Sequence, residues 1–306
     1  DSIRYLPQLD RISSVLGVLS LIFWSLMLVV GWKYITFITR ADNRGEGGVF
    51  ALFALGQIDG GGRKPGIGGS TLLILFGACM LCGEGVITPA VSVLSATEGL
   101  TLIAPGSKPF VIPLTCVILA AIFWFQNHGS ASFGRVYGPV MLVWFSTLGA
   151  LGLWHIWQNP VVLKAINPWY AWGVFRAHPA EITAVLGGVV LAVTGVEAVY
   201  ADMGHFGRRA IAFAWYGVAL PGLVLNYFGQ GAHLMRNPAA MENPFLALAP
   251  EGPVRFVRLG LSVLATIIAS QAMISGTFSL IRSSVQLGFF PRVKVLHTNA
   301  EQRGQI

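Results

Sequence analysis

Long runs of apolar residues, separated by short polar segments, recur along the whole chain. A bilayer core about 30 Å thick requires roughly 20 mostly apolar residues in a helix that crosses it. Seven stretches reach or nearly reach this length, at residues 13–38, 70–100, 109–126, 135–157, 181–203, 211–234 and 256–281. The third is the shortest and carries Pro109 and Pro113, which are tolerated near the start of a helix. The pattern predicts an all-α integral membrane protein with seven transmembrane helices.

The composition agrees with this prediction and disfavours a soluble protein. Hydrophobic residues make up 54% of the 306 residues and charged residues only 11%, whereas about 25% of the residues are charged in an ordinary soluble domain. The mean hydropathy is +0.67. So little polar surface cannot cover a globule of this size, and we expect the lipid bilayer to surround the protein.

The basic residues indicate an orientation in the membrane. The net charge of +7 comes from residues scattered over short loops, whereas a nucleic-acid-binding protein needs a basic face on a soluble domain. With seven spans, the loops on the side of the C-terminus hold 12 Lys and Arg residues and the others hold 8. The positive-inside rule then places Asp1 outside and Ile306 in the cytoplasm. Because a chain without a signal peptide would begin outside, we expect an earlier span before Asp1.

Two carboxylates lie deep within predicted spans, Glu84 in the second and Glu197 in the fifth. An ionisable group at membrane depth costs at least about 2.5–3.5 kcal/mol, so it normally faces the bundle interior or a water-filled path. The structural alternative is a protonated glutamate that hydrogen-bonds to a neighbouring helix. Polar neighbours at helical spacing favour a functional site.

The spacing of these polar neighbours predicts a cation site. At 100° per residue, Thr88 and Ser92 lie within about 80° of Glu84 on one helix face, and Thr194, Glu197 and Tyr200 lie within about 120° of one another. Their oxygens suit a hard, weakly hydrated cation. The predicted ligands are Glu84, Thr88, Ser92, Thr194 and Tyr200, with additional oxygens on the seventh span at Ser270, Gln271 and Ser275.

Other motifs are weaker. Cys79 and Cys82 have the spacing of zinc ligands, but small-residue helix packing explains them better because no His pair lies nearby. The six His residues are scattered, so no catalytic cluster of an enzyme is indicated. We therefore expect no enzymatic activity, no cofactor and no metal other than a transported ion.

Five blocks of the chain resemble the KUP/HAK/KT potassium uptake permeases. They are RADNRGEGG at 40–48, GVITPAVSVLSA at 85–96, GVEAVYADMGHFG at 195–207, LNYFGQGA at 225–232 and IASQAMISG at 268–276. His297-Thr298 and Gly304-Gln305-Ile306 also match. The family's opening span, with its G-D-I-G-T-S-P-L-Y motif, is not in this chain, and many members carry Asp where this chain has Glu84.

The resemblance implies a larger fold. The family's core is similar to the amino acid–polyamine–cation superfamily, with twelve spans that include inverted five-helix repeats. This chain would supply the second to eighth spans and would be truncated at both ends. One span in each repeat would be discontinuous, and we expect the fifth span here to break near Thr194-Gly195-Val196. Without the first span, we expect residues 1–306 to transport nothing by themselves.

The resemblance also implies a function. It predicts secondary active uptake of potassium together with protons across the bacterial inner membrane. Because Glu197 follows the expected break, we assign it as the proton carrier and Glu84 as a cation ligand. An amino-acid–proton permease of the same superfamily and a non-transporting membrane subunit stay open as alternatives, as does a homodimeric assembly.

Overall fold

The computed structural model describes residues 11–41, 47–58, 68–103, 105–126, 131–201, 207–237, 244–250 and 252–291. Within these ranges the chain forms helices and turns, without a strand. Residues 42–46 of the first resemblance block, residues 202–206 of the third and the terminal motifs from His297 onward lie outside the described residues, as do the loop residues 59–67 and 127–130.

Most of the predicted helices are present. The α-helices in chain order are α1 (Arg11–Ser25), α2 (Val49–Ile58), α3 (Gly69–Ile103), α4 (Lys108–Gln126), α5 (Ala131–Gln158), α6 (Trp169–Ala177), α7 (Ile182–Val193), α8 (Val196–Ala201), α9 (Arg208–Ala214), α10 (Leu220–Arg236), α11 (Pro244–Ala247) and α12 (Pro253–Gln286). Two segments have the wider π-helical turn, Leu26–Phe37 and Trp215–Ala219. Three have the tighter 3₁₀ turn, Ile38–Arg40, Pro105–Ser107 and Pro160–Ile166.

The described part of the chain contains six helical stretches long and apolar enough to cross a membrane. They are Ile12–Arg40, Thr71–Thr101, Val136–Gln158, Ile182–Tyr200, Arg208–Arg236 and Pro253–Gln286. These coincide with six of the predicted spans and confirm a multi-pass, all-helical membrane protein. The predicted span 109–126 corresponds to the shorter apolar helix α4, which is not among the six. The count of seven spans stays a prediction.

The chain divides into two compact units. The first contains residues 1–36, 142–196 and 212–258, and the second contains residues 37–141, 197–211 and 259–306. The division falls within several helices and, in the fifth span, directly after Val196.

The core of the first unit surrounds α1. Val15 and Leu19 of α1 are buried against Phe228 and Ala232 of α10. Close contact between α5 and α10 depends on glycine, because a Cβ atom on Gly229 would lie only 2.9 Å from the carbonyl oxygen of Gly152. Small residues that let two backbones approach are typical of helix packing in membranes.

The second unit packs α3 against α2, α4 and α12. Val93 of α3, Ile122 of α4 and Ile274 of α12 form one buried cluster. Nearer the start of α3, Ala78 is buried with Phe50 of α2 and Leu280 of α12. Helix α12 therefore contacts the middle part of α3 through residues between Ile274 and Leu280.

The fifth span is interrupted where the sequence predicts. Helix α7 ends at Val193, and Thr194 adopts an extended conformation with ψ 148°. Gly195 follows with φ 90°, a left-handed conformation that glycine tolerates because it has no Cβ atom. Helix α8 then begins at Val196. The predicted break is confirmed.

Candidate cation site

The two intramembrane carboxyl groups meet in the second unit. Glu84 lies near the middle of α3 and Glu197 in the first turn of α8, and both are half-buried. Their side chains are close enough for a hydrogen bond between the carboxyl groups. The other carboxyl oxygen of Glu84, Oε1, is buried and has no hydrogen-bond partner. The structure thus brings these two predicted site residues together, and their roles in binding stay predictions.

The chemistry of this contact requires a proton. An ionised carboxylate only accepts hydrogen bonds, so two carboxyl groups can hydrogen-bond to each other only when one of them carries a proton. Two carboxylates at such a short distance also repel each other, which disfavours double ionisation. The pair can therefore hold one proton and retain one negative charge, with the buried Oε1 of Glu84 as a free acceptor.

Helix α12 approaches the pair at Gly85. A Cβ atom on Gly85 would overlap the hydroxyl of Thr277 and lie 2.9 Å from its Cβ atom, so only glycine allows this contact. Gly83, on the other side of Glu84, has no atom near its would-be Cβ position. Pro89 lies inside α3 and lacks a backbone N–H, which leaves the carbonyl of Gly85 without its usual helical partner.

The remaining predicted ligands differ in their surroundings. Thr88 and Ser92 are half-buried on α3, one and two turns after Glu84. Tyr200 is 4% exposed, and its hydroxyl donates a hydrogen bond to the carbonyl of Ala41 at 2.6 Å. Thr194 belongs to the first unit, where its hydroxyl donates to the carbonyl of Val190 at 2.8 Å. Cation binding by these four residues stays a prediction.

Sequence reasoning missed one neighbour of the site, Thr277. It lies seven residues after Ser270, hence on the same face of α12, and this spacing could have revealed it. Ser270 and Gln271 are buried, as expected for the inward face of a span, and the Ser270 hydroxyl has no partner among the described residues. Thr277 itself donates to the carbonyl of Met273 at 2.9 Å.

The first unit contains a pair of π-helical segments that the residue pattern did not predict. The carbonyl of Gly31 accepts hydrogen bonds from the hydroxyls of Thr36 at 2.9 Å and Tyr216 at 2.7 Å. Gly31 and Thr36 lie in one π-helical segment, and Tyr216 lies in the other. The two π-helical segments therefore contact each other through side-chain hydroxyls, which donate to a backbone carbonyl that lacks its usual α-helical partner.

The two cysteines with zinc-like spacing are free thiols, Cys79 exposed and Cys82 half-buried on α3. Within the described ranges, no group of three or more His, Cys, Asp or Glu side chains could hold a metal ion.

Comparison with known proteins identifies the family. The family model described as the K+ potassium transporter integral membrane domain matches residues 7–306. The chain belongs to this family. The resemblance to potassium uptake permeases, based on five sequence blocks, is thereby confirmed.

Individual relatives agree with the family match. The probable potassium transport system protein Kup of Paraburkholderia xenovorans (strain LB400) is 54% identical over 303 residues, which is 98% of this chain and 48% of that protein. Its namesake in Burkholderia ambifaria (strain MC40-6) is 53% identical over 294 residues, 96% of this chain and 46% of that protein. The chain thus spans about half the length of these curated relatives. No solved structure matches the chain.

Proposed function

We propose that this chain is part of a secondary active transporter that takes up potassium ions together with protons. The family description and the relatives named potassium transport system proteins support potassium as the ion. The observation that carries the proposal is the contact between the carboxyl groups of Glu84 and Glu197. It unites a proton site and a cation ligand in one place.

Charge balance explains how the pair couples two ions. A site at membrane depth is most stable when its net charge is zero, because unpaired charge is poorly solvated there. Two glutamates reach neutrality with one proton and one monovalent cation. Glu197 keeps the proton and donates a hydrogen bond to Glu84, while the ionised Glu84 offers its buried Oε1 to potassium. A proton alone leaves the pair with one negative charge. Potassium alone also leaves one negative charge and no proton for the hydrogen bond, so the proton and the potassium ion bind together.

Neutral oxygens complete the proposed potassium shell. The hydroxyls of Thr88 and Ser92 continue the polar face of α3, and the freed carbonyl of Gly85 lies one residue from Glu84. Tyr200, one turn after Glu197 on α8, adds a further oxygen. Backbone carbonyls and hydroxyls suit potassium because they replace its weakly held hydration shell.

The break in the fifth span supports the larger fold that we propose. Discontinuous helices occur at the substrate sites of transporters with inverted repeats. Here the break at Thr194 and Gly195 immediately precedes Glu197. We infer a twelve-span core of that type, in which this chain supplies the second to eighth spans. An amino-acid permease fits less well, since a substrate carboxylate would be repelled by the two glutamates.

A topology follows from the same proposal, with Asp1 outside, Ile306 in the cytoplasm and a plasma-membrane location in the bacterial cell. It can be tested with single-cysteine variants, after replacement of Cys79, Cys82 and Cys116 by serine. A cysteine at Gly62 should react with a membrane-impermeant thiol reagent only after the cells are opened. Labelling of intact cells at this position would reverse the orientation.

Rubidium uptake tests the function. The complete gene product that contains this chain is produced in bacteria that lack their own potassium uptake systems. We expect Glu84→Gln to abolish uptake, whereas Glu98→Gln, an exposed glutamate on the same helix, should leave it unchanged. Full uptake by Glu84→Gln at wild-type protein levels would exclude Glu84 as a ligand. Absence of uptake by the unaltered protein would exclude potassium transport.

A further inference from the structure

An apolar groove lies within the first unit, between the first span and the segment that leads into α6. Its volume is about 380 Å³, within the range of ligand-binding cavities. Leu21, Trp24 and Leu28 form one wall, and Pro168 and Ala171 form the other. The indole N–H of Trp24 donates to the carbonyl of Ile166 at 3.0 Å, which ties the two walls together. The groove is open to the surface and lined mainly by apolar side chains.

The segment that forms the second wall has two faces. It comprises residues 160–177, which lie between the candidate spans Val136–Gln158 and Ile182–Tyr200. Val162 and Val174 are buried in the core of the unit. On the outer face, Trp169 is 73% exposed and Trp172 is 51% exposed. A short helix between two spans, with exposed tryptophans on one side, is typical of the interface between lipid tails and headgroups.

Positive charge lies on the same segment that forms the second wall of the groove. The guanidinium of Arg176 is over the ring of Trp172, 5.7 Å from its centroid, a cation–π contact that holds the charge next to the ring. Trp172 directly follows Ala171, a residue of the groove wall. Lys164, in the same segment, is also exposed. An occupant with an apolar tail and an anionic head could place its tail in the groove and its head near the basic residues of this segment.

We propose that this groove binds an acyl chain of an anionic phospholipid, with its phosphate held by Arg176 and assisted by the charge of Lys164. The occupant is a lipid because the groove belongs to a membrane-spanning unit and the neighbouring tryptophans mark headgroup depth. An anionic headgroup follows from the two cations. The site lies in the first unit, whereas the proposed potassium site centres on the carboxyl pair of the second, so uptake and lipid binding can be tested separately.

Native mass spectrometry of the complete, detergent-purified gene product tests the proposal. The protein is incubated with dioleoyl phosphatidylglycerol or with the zwitterionic dioleoyl phosphatidylcholine, and the bound lipids are counted. We expect tighter binding of phosphatidylglycerol to one site, by about fivefold per cation at roughly 1 kcal/mol for each basic residue. Equal binding of the two lipids would overturn the headgroup assignment.

Two variants locate the site. Ala171→Trp fills the groove and should remove the retained lipid of either type, whereas Ala150→Trp, at an exposed alanine of α5 in the same unit, should not. Arg176→Gln should lose about fivefold in affinity for phosphatidylglycerol while binding of phosphatidylcholine is unchanged. Arg209→Gln, an exposed arginine of the second unit, serves as its control.

Three results would contradict the proposal. Unchanged lipid retention by Ala171→Trp would show that the lipid lies elsewhere. Loss of both lipids by Arg176→Gln would assign Arg176 a structural role and not a headgroup contact. A dimer that Ala171→Trp dissociates, with an unchanged lipid count, would assign the groove to a second copy of the chain.

Discussion

The first span and the second span are both long and strongly apolar, but the structure uses them differently. Of the most apolar stretch of Ile12–Arg40, 61% is buried, against 17% for Thr71–Thr101. The first span is the centre of a packed core, where α1 contacts α6, α7 and α10. The second span instead carries Glu84, the charge that the proposed function requires. Apolar length predicts that a segment enters the membrane, but neighbours decide whether it serves packing or chemistry.

The largest effect on folding should come from crowding the packed unit. In Gly152→Val, the new Cβ atom would lie 2.8 Å from the backbone nitrogen of Asn226 and would overlap the backbone of Leu225. Backbone cannot yield as a side chain can, so we expect destabilisation of about 3 kcal/mol or more. Thermal unfolding in detergent would measure it. Gly83→Ala, in the open surroundings of α3, is the control. Equal melting temperatures for both variants would show that close contact between α5 and α10 does not stabilise the first unit.

The largest effect on the pH dependence of transport, at preserved stability, should come from Glu197→Gln. The amide cannot release a proton in the physiological range, so rubidium uptake should lose its dependence on external pH. Uptake is measured at acidic and neutral pH in cells lacking their own potassium uptake systems, with protein level checked in the membrane fraction. A pH profile like that of the unaltered protein would rule out Glu197 as the proton carrier.

A smaller effect is expected from Gly85→Ala. The added methyl group would overlap Thr277 and push α12 away from the carboxyl pair, at a cost of about 1–3 kcal/mol. Uptake should fall, and Thr277→Ala in the same protein should restore part of it because the overlapping hydroxyl and methyl groups are gone. If the double variant is no better than Gly85→Ala alone, the contact with Thr277 is not what limits the site.

The smallest effect should follow loss of one interhelical hydrogen bond in the second unit. The hydroxyls of Thr97 and Thr115 are 2.7 Å apart and join α3 to α4. Interhelical hydrogen bonds in membranes contribute about 0.6 kcal/mol on average, so Thr97→Val should shift the unfolding midpoint only slightly. A loss as large as that of Gly152→Val would indicate that polar contacts stabilise this unit as strongly as close backbone contact stabilises the first.

Several features could be predicted from the sequence because they depend on local properties. Helices in a bilayer are recognised by apolar length, and six predicted spans agree with the structure to within a few residues at most ends. The family resemblance predicts the interruption of the fifth span, and Gly195 provides the positive φ found there. Glu84 and Glu197 stand out because charge is costly in an apolar run.

Other features depended on which helices pack together, and only the tertiary structure decided them. Glu84 and Glu197 are more than a hundred positions apart, so their contact requires α8 to lie beside the middle of α3. Two further contacts join residues that are likewise more than a hundred positions apart. Thr277 lies against Gly85, and the hydroxyl of Tyr200 donates a hydrogen bond to the carbonyl of Ala41. The π-helical turn of Leu26–Phe37 likewise has oxygen partners from a distant segment, at Tyr216. Residue order determines how each segment meets the membrane, but partners distant along the chain come together only through packing.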